Sequence, residues 1–240
     1  MKSPVVFTDW DGTVTLQDSN DYMTDHLGFG EVERKRIGKM ILDEKLSFRD
    51  GFNMMLKSIT DKGYSMEYCI ETLLKNIKLD PGFRPFLEWC KAHNVPLYVI
   101  SSGMRPIINA LLKTLVGDDA ADYVNILAND VEYDSVDHSK WHIVYRDETP
   151  FGHDKSRSIK KILAEYHDVK PIAFYCGDGV SDLSASSTCD LLFARSGKDL
   201  VTFCDRHHIP YREFYSFVNI TDDVNAVSHG VKTIEDCLVK

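Results

Sequence analysis

Residues 4–13 read Pro-Val-Val-Phe-Thr-Asp-Trp-Asp-Gly-Thr, from Pro4 to Thr13. Pro4 to Thr8 is a short β-rich run without polar alternation, the pattern of a parallel strand covered on both faces. Asp9 and Asp11 follow, two residues apart, so an extended chain would point both carboxylates to one side. They would lie at the strand's C-terminal end, the crevice where open α/β sheets place ligands, and Gly12 would let the chain turn sharply there. Two carboxylates so close repel unless something cationic compensates.

Outward from this stretch the pattern repeats. Val95 to Ile100 is a second apolar strand, followed by Ser101-Ser102-Gly103 and a helix from near Pro106 to Gly117. Lys155 to Tyr166 reads as a helix, Pro171 to Cys176 as a strand, Leu191 to Arg195 as a strand and Lys198 to His208 as a helix. This alternation predicts an α/β domain. Between Ser19 and Asn76 the period is helical, with Ser19, Ser47 and Ser65 as candidate N-caps, which predicts an insertion of three or four helices. Asp80-Pro81 then reads as N-cap and first-turn proline of a helix that buries Phe83, Phe86, Leu87 and Cys90. VNILAND, VEYD and WHIVYRD, within residues 122–147, read as short strands joined by polar turns.

Composition narrows the function. A net charge of -9 gives no whole-chain electrostatic footprint for nucleic acid or an anionic membrane, so an anionic ligand would need local positive charge. The apolar run before Asp9 is too short for a signal-peptide core or a membrane span, so a cytoplasmic location is expected. The six cysteines form no CxxC pair or His/Cys metal spacing and read as reduced thiols, mostly buried.

Three further elements could serve the carboxylate pair: Ser101 after the second strand, Lys155 at a helix start, and Gly177-Asp178-Gly179-Val180-Ser181-Asp182 after a third strand. Asp9, Asp178 and one backbone carbonyl form a hard oxygen set that suits Mg2+, and Lys155 with the ion would neutralise a phosphoryl group. Each motif also has an ordinary reading. DxDG is a common turn, Asp178 and Asp182 could cap the helix beginning near Val180, Lys155 could be a solvated helix-end charge, and Ser101 could satisfy its own turn. Trp10 reads as packing near the site mouth, and Met54-Met55 as core or cap lining. No single motif decides the question.

In order, DWDGT, ISSG, HDKS and GDGVSD resemble the four signature motifs of the haloacid dehalogenase superfamily. The resemblance implies a doubly wound, Rossmann-like parallel sheet with an inserted helical cap. The core would comprise residues 1–16 and 80–240, and the cap residues 17–79. It implies that Asp9 is the nucleophile and a metal ligand. Asp11 would be the general acid and base and would offer its carbonyl to the metal. Ser101, Ser102, Gly103 and Lys155 would bind phosphate. Asp178 would ligate Mg2+ directly, Asp182 would be a second ligand, direct or through water, and Ser181 would touch the ion's inner or outer surroundings. An acid at Asp11 points to phosphoryl transfer, since a dehalogenase has no leaving alcohol to protonate.

Within the superfamily the chain resembles the phosphoserine-phosphatase branch and, through DWDGTVTLQDSND and FGHDKS, a fungal group that includes a polyol phosphatase. That branch places a Glu where this chain has Asp18, and an Arg for the substrate carboxylate where this chain has Met55, with Arg49 one to two turns away. The expected substrate is therefore a small phosphorylated metabolite, a polyol or sugar phosphate before phosphoserine. The partner expectations are no nucleic acid, no membrane, and a monomer or homodimer. A phosphomutase and a receiver-like phospho-Asp signalling module are the alternatives, although receiver domains are about half this length and lack an acid two residues after the acceptor.

Overall fold

The computed structural model describes residues 3–137 and 140–238. The chain runs β1 (Pro4–Thr8), α1 (Ser19–His26), α2 (Glu31–Leu42), α3 (Phe48–Thr60), α4 (Met66–Asn76), α5 (Phe83–Ala92), β2 (Leu97–Met104), α6 (Arg105–Val116), α7 (Asp118–Ala121), β3 (Asn125–Tyr133) and β4 (Trp141–Val144). It continues through α8 (Lys155–Leu163), β5 (Ile172–Gly177), a 3-10 turn (Val180–Asp182), α9 (Leu183–Ser186), β6 (Leu191–Arg195), α10 (Asp199–His207), β7 (Arg212–Phe214), α11 (Phe217–Ser228) and α12 (Ile234–Cys237).

The sheet order is β4-β3-β2-β1-β5-β6-β7, parallel except for β4, which pairs antiparallel with β3. From β1 the chain winds first toward β2 and β3, then returns to build β5, β6 and β7 on the other side. The reversal leaves a crevice at the C-terminal ends of β1 and its two neighbours, where doubly wound sheets bind ligands. Alternating side chains of β1 supply both layers of core. Val6 faces the helices that include α5, α6 and α11, whereas Val5 and Phe7 face α8 and α10. All three are fully buried, as the unalternating apolar run requires.

Helices α1 to α4 hang from two chain segments that run side by side. Thr15 bridges Leu79, the Leu16 amide donates to the Lys78 carbonyl at 2.8 Å, and the Asp80 amide donates to the Val14 carbonyl at 2.9 Å. Ser47 and Ser65 cap α3 and α4 through their hydroxyls. Helix α1 is capped by Asp18 instead, and Ser19 is its first residue. Buried Phe52, Met55, Leu56 and Ile59 give α3 its apolar stripe. The insertion also touches the far edge of the sheet, where the Trp141 indole donates to the Tyr64 carbonyl at 3.0 Å.

Other expectations are corrected. VNILAND and VEYD form one strand, β3, because the Asn125–Tyr133 backbone stays extended between β2 and β4. Asp80 does not cap α5; Gly82 stands there. The Asp80 carboxylate is buried, accepts from Arg195 Nη2 at 2.6 Å, and takes the Gly82 amide, the Ser216 hydroxyl and the Phe217 amide on its other oxygen. Arg195 Nη2 also reaches the Thr13 carbonyl at 2.8 Å, so one buried ion pair fastens the roots of the insertion to β6. Trp10 lies fully buried in the core, not at the mouth, and its carbonyl receives the Val14 and Thr15 amides. Among the described residues no helix is long and apolar enough to cross a membrane. All six cysteines are free thiols, and all but Cys189 are buried.

Candidate active site

Asp9 continues β1: its amide donates to the Cys176 carbonyl at 2.8 Å, which carries the side chain beyond the sheet into the crevice. Its Oδ1 lies 2.8 Å from Lys155 Nζ. Lys155 opens α8, where the Asp154 carboxylate caps the helix through the Ser156 amide. Burial would lower the lysine's affinity for its proton, but Asp182 and Asp9 outweigh that and hold it as an ammonium. Burial pushes Asp9 up to about 7, with Lys155 opposing and Asp182 adding to the rise.

Asp11 turns toward α1. Its Oδ1 accepts the Ser19 amide at 2.7 Å and its Oδ2 accepts Asn20 Nδ2 at 2.8 Å. Burial and then the neighbouring Asp18 charge raise its proton affinity well above that of an ordinary carboxyl, against the Ser19 hydrogen bonds. Gly12, the next residue, has φ of 70°, and a Cβ there would collide with the Asp178 carboxylate. Only glycine fits that turn.

Ser101, Ser102 and Gly103 come from the end of β2. The Gly103 amide donates to Ser101 Oγ at 2.9 Å, and a Cβ on Gly103 would press on Asp11, Asn20 and Ser101. His153 steadies this turn: Nδ1 donates to the Ser101 carbonyl at 2.7 Å, and Nε2 takes the Ser158 hydroxyl at 2.8 Å. Burial lowers His153 to about 4, so the ring is neutral at physiological pH and can make both bonds. Ser102 Oγ and Asn20 Oδ1, buried near the crevice, have no hydrogen-bond partner among the described residues, as a ligand site would leave them.

Asp178 follows β5. Burial, then the Asp9 and Asp182 charges, push it up to about 8, with Lys198 opposing from 3.7 Å. Carboxylate oxygens of Asp9, Asp178 and Asp182 lie within 4.8 Å of one another. An all-oxygen set, strained by its own negative charge, fits a hard divalent cation such as Mg2+. Asp182 itself is fully buried and receives four donors, Lys155 Nζ, the Tyr175 hydroxyl and the amides of Asp178 and Gly179. Ser181 lies in the same turn, partly exposed.

The structure therefore gathers Asp9, Lys155, Asp178 and Asp182 in one cluster, and places Asp11, Ser101 and Gly103 in a second that adjoins it. The candidate specificity residues Asp18, Met55 and Arg49 stand differently. Asp18 caps α1, its Oδ1 taking the Asn20 and Asp21 amides. Met55 is buried in the core cluster that the insertion shares. Arg49 is engaged by the segment after β4, with Glu148 at 2.8 Å and the Tyr145 ring 4.8 Å below its guanidinium. Asn20 and Tyr175 escape a reading of sequence alone, because one sits in an ordinary first helical turn and the other in an apolar strand. For Tyr175 the hint is a polar phenol within Ile172–Gly177.

Comparison with known proteins adds independent findings. A sequence model of haloacid dehalogenase-like hydrolases matches residues 6–187. The chain is 48% identical to polyol phosphate phosphatase PYP1 of Saccharomyces cerevisiae, over 99% of each chain. It is 43% identical to Pdp3-interacting factor 1 of Schizosaccharomyces pombe, covering 93% of this chain and 95% of that one. A substrate-bound phosphoserine phosphatase superposes with a TM-score of 0.61 at 19% identity, over 85% of this chain and 90% of that chain, a likeness of fold.

Proposed function

This chain belongs to the haloacid dehalogenase-like hydrolases and is a phosphatase, and on that premise we propose that it hydrolyses small phosphate monoesters through an aspartyl-phosphate on Asp9. The observation that carries this reading is the pair at the end of β1, where Asp9 lies 2.8 Å from a buried ammonium and Asp11 has only neutral donors. Lys155 fixes Asp9 Oδ1 and leaves Oδ2 to attack phosphorus. Asp11, whose burial favours the protonated form, gives its proton to the departing alkoxide, and the resulting carboxylate then accepts one from the water that cleaves the aspartyl-phosphate. The Ser101 hydroxyl and the amides of Ser102 and Gly103 receive the phosphoryl oxygens. Asp9, the Asp11 carbonyl and Asp178 would hold Mg2+, whose charge shields the meeting of two anions.

The substrate we propose is a polyol or sugar phosphate. Asp18 Oδ2 is free of the capping bonds and suits a ligand hydroxyl, while Arg49 is committed to Glu148 and Met55 offers no charge to a carboxylate. The likeness to a polyol phosphate phosphatase supports the same reading. Phosphate release over a panel of polyol, sugar and amino-acid phosphates tests it, with and without chelator and against Asp9→Asn. The expected result is Mg2+-dependent release, higher kcat/KM for a polyol phosphate than for phosphoserine, and a loss of at least about 1000-fold in the variant. Higher efficiency on phosphoserine than on every polyol phosphate would overturn the substrate, and full activity in metal-free buffer would overturn the mechanism.

A further inference from the structure

We propose that Tyr175 is a positioning residue for this reaction: its hydroxyl fixes Asp182 so that Asp182 aims Lys155 at Asp9, and Asp182 is a hub of donors, not a ligand of the divalent ion. The inference rests on the assignment of Asp9 and Lys155 above.

An ionised carboxylate offers about four acceptor positions. On Asp182 all four are filled: Oδ1 takes Lys155 Nζ at 2.6 Å and the Tyr175 hydroxyl at 2.6 Å, and Oδ2 takes the Asp178 and Gly179 amides at 3.0 Å each. A metal bond would have to displace one of these donors, each in a fully or partly buried place. The carboxylate also has little room to swing, because it packs so closely on Gly177 that a Cβ there would collide with it. Asp178 differs on each count. It is 18% exposed at the side chain, its carboxylate meets, among the described residues, Thr13 Oγ1 at 3.4 Å and Lys198 at 3.7 Å, and it therefore keeps oxygens for an ion.

Tyr175 completes the hub from inside the protein. It alternates along β5 onto the face that carries Phe7, Ile159 and Ala185, and it is fully buried. A phenylalanine would fill the same apolar space, so the hydroxyl is the one feature that packing does not require. Lys155 Nζ sits between Asp182 Oδ1 and Asp9 Oδ1. With Tyr175 in place, Oδ1 of Asp182 is held from two sides and the ammonium has a fixed anchor. Without it, that oxygen is restrained only by the lysine it should position.

The test uses the full chain as wild type, Y175F and D182N. Melting in chelator first confirms folding; kcat and KM are then measured at saturating Mg2+, and calorimetry measures binding of Mg2+ alone to chelator-treated protein. Expected for Y175F is a kcat lowered about tenfold, with KM and the Mg2+ Kd each within about twofold of wild type. D182N should likewise leave the Mg2+ Kd within about tenfold. An unchanged kcat in Y175F, or Mg2+ binding abolished in D182N while the fold survives, overturns the proposal. Should Y175F not fold, proton NMR of wild type with labelled tyrosine decides: a slowly exchanging, low-field hydroxyl resonance for Tyr175 supports the hub, and its absence refutes it. If the Asp9 assignment were wrong, Asp9→Asn would retain turnover while the Mg2+ and NMR readouts stayed as predicted.

Discussion

Asp9 and Asp11 lie two residues apart, each 7% exposed, yet they face different walls of the crevice. The wall beyond Asp9 belongs to the sheet and α8, and it presents a buried ammonium held by Asp182. The wall beyond Asp11 belongs to α1, the first element of the insertion, and it presents a backbone amide and a side-chain amide, with the Asp18 charge behind them. Equal burial thus produces unequal chemistry. A cation on one side favours a carboxylate able to attack, and neutral donors beside a like charge favour a carboxyl that keeps its proton. Helix α1 is thus part of the surroundings of Asp11.

The largest effect that could break this contrast concerns the acid. Asp11→Asn should lower kcat for an alkyl phosphate by about 1000-fold, and far less for p-nitrophenyl phosphate, whose leaving group needs no proton. Equal losses on both substrates, measured by steady-state kinetics, would remove Asp11 from the acid's role.

Next comes the joint beneath both walls. Arg195→Met leaves Asp80 buried without its cation, and denaturant unfolding should show a loss of about 3 kcal/mol. A loss below about 0.5 kcal/mol would mean that the remaining donors to Asp80 hold the roots of the insertion unaided.

A smaller change isolates the α1 wall. Asn20→Ala removes one of the two donors to Asp11 and should lower kcat about fivefold to tenfold on an alkyl phosphate, leaving the melting temperature nearly unchanged. No change in kcat would show that the Ser19 amide suffices.

The subtlest test is the pH dependence of stability without metal. Folding raises Asp9 to about 7 and Asp178 to about 8 from an ordinary 3.8, so the folded state binds these protons more tightly than the unfolded chain. Their stabilising contribution is fullest below pH 3.8 and is lost as pH rises through about 7 and 8. In chelator, the melting temperature should therefore fall between about pH 4 and about pH 8, and Asp178→Asn should flatten that fall. A profile that is equally steep in the variant would place the proton uptake elsewhere.

Much of this fold and site is legible in the sequence. The unalternating run Val5-Val6-Phe7 marked a doubly covered strand, and β6 fell on Leu191–Arg195 as read. Four motifs at strand or helix ends named the residues that the fold draws together. The failures have a common cause, since they concern partners that are distant in sequence. Asp80-Pro81 looks like a helix start because local chemistry favours one, yet beside the Gly82 amide the carboxylate of Asp80 is claimed by Arg195, Ser216 and Phe217, more than a hundred positions on. Trp10 lies between two site carboxylates in sequence, but alternation turns it into the core. Strand β7 is only three residues long, too short for periodicity to register.

The direct test of the central claim is chemical trapping on the wild-type protein. Acid quenching during turnover, followed by borohydride reduction, converts an aspartyl-phosphate to homoserine, which peptide mass spectrometry locates. The account predicts homoserine at position 9 alone, and none in Asp9→Asn. Homoserine at position 11, or its absence from protein that is releasing phosphate, would contradict it.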